Sequence, residues 1–320
     1  MFNFTDLKSN IGYVVIYDAV DCNPNGDPDN DNMPRIDYNT SQGLATDISS
    51  KRKVRDRVYQ LVDMLNDPEK DTRYNMYLTT DSCDLSLKQK EAVLKVKEQN
   101  LKEYPLDSVY NYLVNHYFDI RFFGGAMNGF GKEKRKSLPA ELQASALVAF
   151  NIYGAVEWTF SRSINEIEGV NHTITRKALA NEDEAKKKDS TMGTKKTVPY
   201  GLYKAYVSVN YNQAKKNGFN SKDLKYLEAS MKTLFEQWTA SKAGLCVRKI
   251  FKIEEAVSKY NTIENSCYFY QMRKLLEEVC DIKQIPGVEY ATSIKDFDIA
   301  FHKDYIESNY EGCTATEIPC

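Results

Sequence analysis

The sequence has no run of about 18 apolar residues, so no segment reads as a membrane-spanning helix. Its opening residues, MFNFTDLKSN, lack the charged and then apolar order of an export signal, and a cytoplasmic location is expected. An excess of positive charge is also missing. Lys and Arg number 43 against 45 Asp and Glu, a net charge of −2. That balance removes the simplest argument for a nucleic-acid partner, yet a local basic surface stays open. Seven cysteines are scattered with no CxxC pair, and the odd count suits reduced thiols better than a disulfide frame. The histidines at 116, 172 and 302 have no ligand-spaced partners, and GFGK at 129–132 lacks the spacing of a phosphate-binding P-loop. No serine or cysteine has neighbours that would make it a nucleophile, and no cofactor is expected. What remains is 320 residues with 42% hydrophobic content, enough for one large core or two modest ones.

The order of elements points to α+β with an antiparallel, ferredoxin-like sheet. Residues 11–20 form a β-branched and aromatic run that reads as a buried strand. Thr46 or Asp47 can cap a helix to about Leu65, with Val54, Val58, Leu61, Val62 and Leu65 at helical spacing. Residues 66–145 are polar and mixed, with a helical stretch near 88–104, and read as an insertion. Strands resume with VEWTFSRSI and VNHTITRKA. The segment 178–196 has almost no large apolar residues and reads as an exposed arm. GLYKAYVSVNY then alternates, with Tyr203, Ala205, Val207, Val209 and Tyr211 on one face. Asn220 and Asp223 open a helix whose apolar stripe continues to Trp238, with Gly244 at its end, and the strand CVRKIFKI follows.

Two stretches could carry chemistry. In KRKVRDR, 51–57, five of seven residues are cationic and lie in the first two turns of a helix, where the macrodipole disfavours cations. Lys51 stands three residues before Val54, in line with the core-facing stripe, and Arg55 flanks it. An anion such as a phosphate chain would explain that register; long stems reaching back to water would explain it equally. The second stretch is NPNGDPDND, 23–31. Asp27, Asp29 and Asp31 begin like a calcium loop, but Asn32 replaces the required glycine and Tyr38 the closing glutamate. Carboxylates at this spacing could hold Mg²⁺ for ribonuclease chemistry. Otherwise the prolines, Gly26 and the Asx residues specify a rigid turn. KEKRK at 132–136 is a further basic run, and Met127 could be core or an apolar tip against a base.

Four blocks in order, NPNGDPDNDNMPRID, GLATDISSKRKVRD, DIRFFGGAM and TMGTKKTVPYGLYKAY, resemble the repeating backbone subunit of type I CRISPR interference complexes, the Cas-seven family. The subtype I-C member is most similar and subtype I-B is the near neighbour. The matching blocks run from about residue 11 to 255. The chain departs from the family at 128–150, which is longer, and no family motif falls after 255. The resemblance implies a non-catalytic, hand-like subunit in antiviral defence. A modified ferredoxin-like (RRM-like) palm would occupy 1–62 and 146–320, helical fingers 63–145, and a thumb hairpin about 168–198. Copies would stack in a helical filament along a guide RNA, beside target DNA and the other Cascade subunits, a guide-processing end subunit and a large subunit. It further implies RNA contacts from Asn23, Asn25, Arg35, Lys51, Arg52, Arg55, Lys195 and Lys196, with Met127 wedged between bases. RNP-type aromatics are absent, which suits backbone gripping, and a metal-dependent ribonuclease using Asp27 or Asp29 is the alternative.

Overall fold

The computed structural model describes residues 5–79, 88, 91–92, 94–96, 106–127, 136, 149–176, 191–236, 242–257 and 271–320. Most of KEKRK, the longer 128–148 segment and the tip of the expected thumb lie outside them. Strand β1 (Ser9–Cys22) leads through two short ladders, β2 (Gly26–Asp27) with β3 (Met33–Pro34) and β4 (Ile36–Asp37) with β5 (Gln42–Ala45), into helix α1 (Asp47–Met64). Helices α2 (Leu106–His116) and α3 (Phe118–Phe123) precede the β6 (Gly124–Met127) and β7 (Phe150–Tyr153) ladder. Strands β8 (Val156–Trp158), β9 (Ser161–Glu166), β10 (Val170–Arg176) and β11 (Thr191–Val209) come next. Helices α4 (Tyr211–Asn217) and α5 (Ser221–Lys232) lead to β12 (Leu245–Ala256). The chain closes with α6 (Met272–Glu278), β13 (Cys280–Gln284), β14 (Phe297–Phe301), α7 (Lys303–Asn309) and β15 (Cys313–Ile318).

One large sheet runs β15-β12-β1-β11-β9-β5-β4, with β8 and β10 also paired to β11, and all its ladders are antiparallel. The molecule therefore mixes helices with a large antiparallel sheet, as the element order predicts. Strand β1 explains itself: a strand covered on both faces needs apolar residues at every position. Ile11, Tyr13 and Val15 face a core shared with Val54, Val58 and Val62 of α1 and Leu227 and Met231 of α5. Val14 and Ile16 face a second core built by α6, α7 and the β13–β14 hairpin. Each fully buried side chain of this kind contributes about 1.5–3 kcal/mol. That second layer is the main departure from expectation. Residues after 255 show no motif, yet 271–320 cover the far side of the sheet and add its edge strand β15.

Smaller differences have local causes. Thr46 caps α1, its hydroxyl accepting from the Ser49 amide at 3.2 Å, and the helix stops at Met64, leaving Leu65 exposed. Asn220 and Asp223 form a reciprocal capping box at α5, but the helix ends at Lys232 rather than near Gly244. Gly244 instead accepts the Val20 amide at 3.0 Å, and a Cβ there would stand 1.8 Å from the Val20 oxygen. Tyr211 starts α4 instead of extending β11. The arm expected at 178–196 is strand from Thr191 onward, laddered to β10 from Val170↔Thr197 to Arg176↔Thr191. Residues 171–175 and 193–195 are exposed, so this ribbon projects without a core of its own. Among the described residues no helix is long and apolar enough to cross a membrane.

Candidate nucleic-acid interface

The loop 23–35 is held by its own polar side chains. Asn23 Nδ2 donates to the Asn32 carbonyl at 2.8 Å, and Asn25 Oδ1 accepts from the Thr46 amide at 2.9 Å. The Arg35 amide donates to the Asn25 carbonyl at 3.0 Å, and the Arg35 guanidinium pairs with Asp27 at 3.1 Å. A 3₁₀ turn, Pro28–Asn30, is followed by Asp31 and Asn32 at φ of 49° and 55°, a left-handed geometry that Asp and Asn tolerate. Shape, more than the three carboxylates, governs this loop. Asp27 is taken by Arg35 and Asp31 by Lys196 of β11, and among the described residues no three His, Cys, Asp or Glu converge as a metal cage.

Helix α1 divides its cations between two environments. Lys51 pairs with Asp47 at 2.8 Å and Arg52 with Asp56 at 2.7 Å, one turn apart along the helix and half-buried. Arg52 also donates to the Leu78 carbonyl at 3.1 Å. Surface pairs of this kind are worth about 0–1 kcal/mol and exchange readily for a better anion. Arg55 differs: it is buried, 3.5 Å from Asp119 and with its guanidinium carbon 4.9 Å from the Phe123 ring centroid. Its register beside the stripe turns it inward, toward Asp119. Asp119 in turn accepts the Tyr77 and Leu78 amides at 2.7 and 2.9 Å. Burial raises the Asp119 carboxyl against those hydrogen bonds and the Arg55 charge. Met127 is likewise buried, in a separate core with Val109, Leu113 and Ile120, because β6 pairs it with Phe150. The side chain expected to wedge between bases faces protein here.

Three of the sequence-predicted residues, Asn23, Lys195 and Lys196, meet in one place. A cleft of about 400 Å³ opens between the loop and the base of the β10–β11 ribbon, lined by Asn23, Gly26, Asp31, Asn32, Thr194, Lys195, Lys196 and Lys242. Lys195 is exposed, and Lys196 clasps Asp31 through both its carboxylate and its carbonyl. Lys242 is the member that sequence reasoning missed. It stands alone among small residues in SKAGL, and only folding brings it under the loop, where its ammonium donates to the Asn23 and Pro24 carbonyls. Lys53, inside the basic run but not singled out, reaches the Ser49 hydroxyl at 2.7 Å. Burial first, then the Lys242 charge, pushes Lys53 down to about 8. Burial pushes Lys242 down to about 8 as well. The sheet face carrying Val14, Ile16, Leu202 and Phe251 is covered by the C-terminal layer.

A larger cleft of about 750 Å³ lies between α1 and α2, lined by Arg52, Asp56, Lys88, Glu91, Tyr112 and His116 among others. Its charges are mixed and largely cancel, so it makes a weaker case for a polyanion than the lysine cleft.

Comparisons with known proteins bear on the family of the chain. A protein of Haloferax volcanii described as CRISPR-associated protein Cas7 is 24% identical over 261 residues, spanning 78% of this chain and 71% of that protein. Among solved structures, a chain of a CRISPR RNA-guided surveillance complex in a pre-nicking state is 13% identical, with a TM-score of 0.42, over 76% of this chain and 78% of that one. A second such complex has a chain at 13% identity and a TM-score of 0.41, over 76% and 68% of the two chains. The family model of CRISPR-associated protein Cas7 matches residues 9–302, and the chain belongs to that family.

Proposed function

We propose that this chain is the guide-RNA-binding backbone subunit of a type I CRISPR RNA-guided surveillance complex, of subtype I-C or its neighbour I-B. Copies assemble along one guide RNA, hold its phosphates, and leave the bases to pair with target DNA, so the protein needs no base-reading edge. The subunit works in the cytoplasm beside a guide-processing end subunit and a large subunit, and is itself non-catalytic. The observation that carries the reading is the family match over residues 9–302.

The palm is RRM-like in this proposal. The order β12-β1-β11-β9, with α1 and α5 packed on one face, supports it as the 4-1-3-2 arrangement of a βαββαβ unit. Palm, fingers and thumb keep the boundaries 1–62 with 146–320, 63–145 and about 168–198. The separate core around Leu113 and the projecting β10–β11 ribbon support the last two. Guide phosphates run from the half-buried cations Lys51 and Arg52, past the loop with Asn23, Asn25 and Arg35, to Lys195 and Lys196. Arg55 and Met127 act from behind this surface: the first fixes α1 to the Asp119 segment, the second fills the fingers core.

Mechanistically, binding is an exchange of partners. Arg35, Lys51, Arg52 and Lys196 each leave an intramolecular carboxylate pair for a phosphodiester, and every contact releases counterions from the RNA. For single strands each phosphate contact contributes a slope of roughly 0.7 in log affinity against log salt. Lys51→Ala with Lys195→Ala should weaken binding equally for unrelated RNA sequences and lower that slope by about 1–1.5. Unchanged affinity and slope in the double variant would remove this surface from the RNA path.

A further inference from the structure

The C-terminal layer covers Val14, Leu202 and Phe251 but not the whole of their sheet face. Its cover ends at α6, and over β9 and β11 a cleft of about 360 Å³ is left open, lined by Phe160, Arg162, Lys204, Tyr206 and Arg273 among others. No carboxylate is among its described lining residues. Arg162 and Lys204 stand directly opposite one another in the β9–β11 ladder, so both side chains leave the sheet on this face. Like charges in that position repel. Arg162 reaches Asp37 at 2.6 Å and Arg273 reaches Glu277 at 2.6 Å, and both arginines are about half exposed. Pairs this exposed are weak and exchange readily for another anion. Lys204 has no carboxylate within ion-pair distance among the described residues; Asp281 of β13, which feels its charge, is held by Lys283 at 3.1 Å.

Aromatic surface lies among these cations. The Arg273 guanidinium carbon is 4.2 Å from the Tyr206 ring centroid, and the Lys204 ammonium 5.4 Å from it. Phe160, in the turn between β8 and β9, is 51% exposed. The turn is fixed beneath it, because the Thr159 hydroxyl accepts the Tyr206 amide at 3.0 Å. Three cations around an exposed ring suit a single nucleic-acid strand: the cations meet phosphates, while the ring and the planar guanidinium offer stacking surfaces to any base. An acidic peptide would use the cations and leave Phe160 in water. Position separates this cleft from the lysine cleft. Helix α1 packs on the face of Ile11, Tyr13 and Val15, whereas Lys204 shares the face of Leu202 and Val14. Along β11, Lys196 and Lys204 are eight residues apart, roughly 26 Å of strand.

We propose that Phe160, Arg162, Lys204 and Arg273 form a second nucleic-acid site, which holds a single DNA strand that is not paired to the guide. The inference rests on the function proposed above. Pairing a guide with one strand of a DNA duplex releases the other as a single strand, and a hold on that strand disfavours its return to the duplex. The released strand has any sequence, so a site built from phosphate contacts and base stacking, with no base-edge readout, is the kind it requires.

The test uses guide-loaded particles of the full chain, titrated by fluorescence anisotropy at several salt concentrations with oligothymidylate DNA that cannot pair with the guide. Wild type should bind it. Arg162→Gln with Lys204→Gln should weaken binding about tenfold or more and lower the salt slope by about 1.4, two contacts at roughly 0.7 each. Phe160→Ala should weaken binding roughly fivefold or more and leave the slope unchanged, because stacking releases no counterions. Lys274→Gln, on α6 but outside the cleft, should match wild type. Guide RNA content and melting temperature should stay at wild-type values in every variant. Should the double variant fail to fold, Phe160→Ala and Arg162→Gln, each at a half-exposed position, carry the same test singly. Wild-type affinity and slope in the Phe160 and Arg162 variants would overturn the site and leave the guide-binding function intact. Folded variants that lose the guide would place these residues on the guide's own path and overturn the second strand. Displacement of the DNA by polyglutamate, with Phe160→Ala inert, would reassign the cleft to an acidic protein segment. Wild-type particles without guide RNA would overturn the function and the site with it.

Discussion

Arg121→Met tests what joins the segment after α2 to the sheet-packed helices. Arg121 and Asp223 are both fully buried, joined by Nε to Oδ2 at 3.0 Å and Nη2 to Oδ1 at 2.7 Å. Nη1 donates to the Val114 carbonyl of α2 at 2.7 Å, while Asp223 belongs to the capping box of α5. Arg73 supplies a second cation to Asp223 at 2.8 Å. Methionine keeps most of the volume but leaves a buried carboxylate with Arg73 as its one remaining cation among the described residues. Removing one member of such a pair costs about 3–5 kcal/mol, and the Arg73 contact argues for the lower end. Spread over a chain of this size, about 3 kcal/mol lowers Tm by roughly 4–5 °C, measurable by scanning calorimetry. Burial opposes ionisation of Asp223, but the Arg121 charge and hydrogen bonds, then Arg73, outweigh it and hold the carboxyl below its ordinary value. A depressed carboxylate stabilises above its unfolded pKa and loses that contribution as pH falls through the folded one. The wild-type advantage over Arg121→Met should therefore shrink in acid. Arg121→Met with Asp223→Asn should recover part of the loss, since no lone charge stays buried. A Tm change under about 2 °C, or a double variant no better than the sum of its parts, would refute the reasoning.

Other predictions are shorter. Gly124→Ala places a Cβ 2.1 Å from the Ile152 oxygen at a φ of +72°, and should destabilise by at least about 2 kcal/mol in denaturant titration. The Lys51→Ala, Lys195→Ala variant should lower the salt slope of RNA binding. With Mg²⁺ and complementary RNA, assembled complexes should leave the RNA intact on a denaturing gel. Cleavage abolished by Asp27→Ala would reverse the non-catalytic assignment.

Legibility followed how local the physics was. The continuous apolar run of β1, the Thr46 cap, the Asn220–Asp223 box and the 3.6-residue stripe of α1 are short-range signals, and each named its element. The loop's stiffness was readable from its prolines and Asx residues, though not that Asn23 and Asn25 would spend their side chains bracing it. Arg55 flanks the core stripe as its spacing indicates; its partner Asp119 lies 64 residues on, beyond any spacing rule. Lys242 carried no local signal at all. The layer formed by 271–320 was invisible for a similar reason: its helices are about two turns long, and only the sheet surface they cover explains them.

The most direct test of the central claim is the native mass of the protein purified after co-expression with a CRISPR guide RNA. The account predicts particles that hold one RNA and several copies of this chain, separated by increments of the 36.7 kDa subunit mass. An RNA-free monomer, obtained under low salt and with the guide present in the cell, would contradict it.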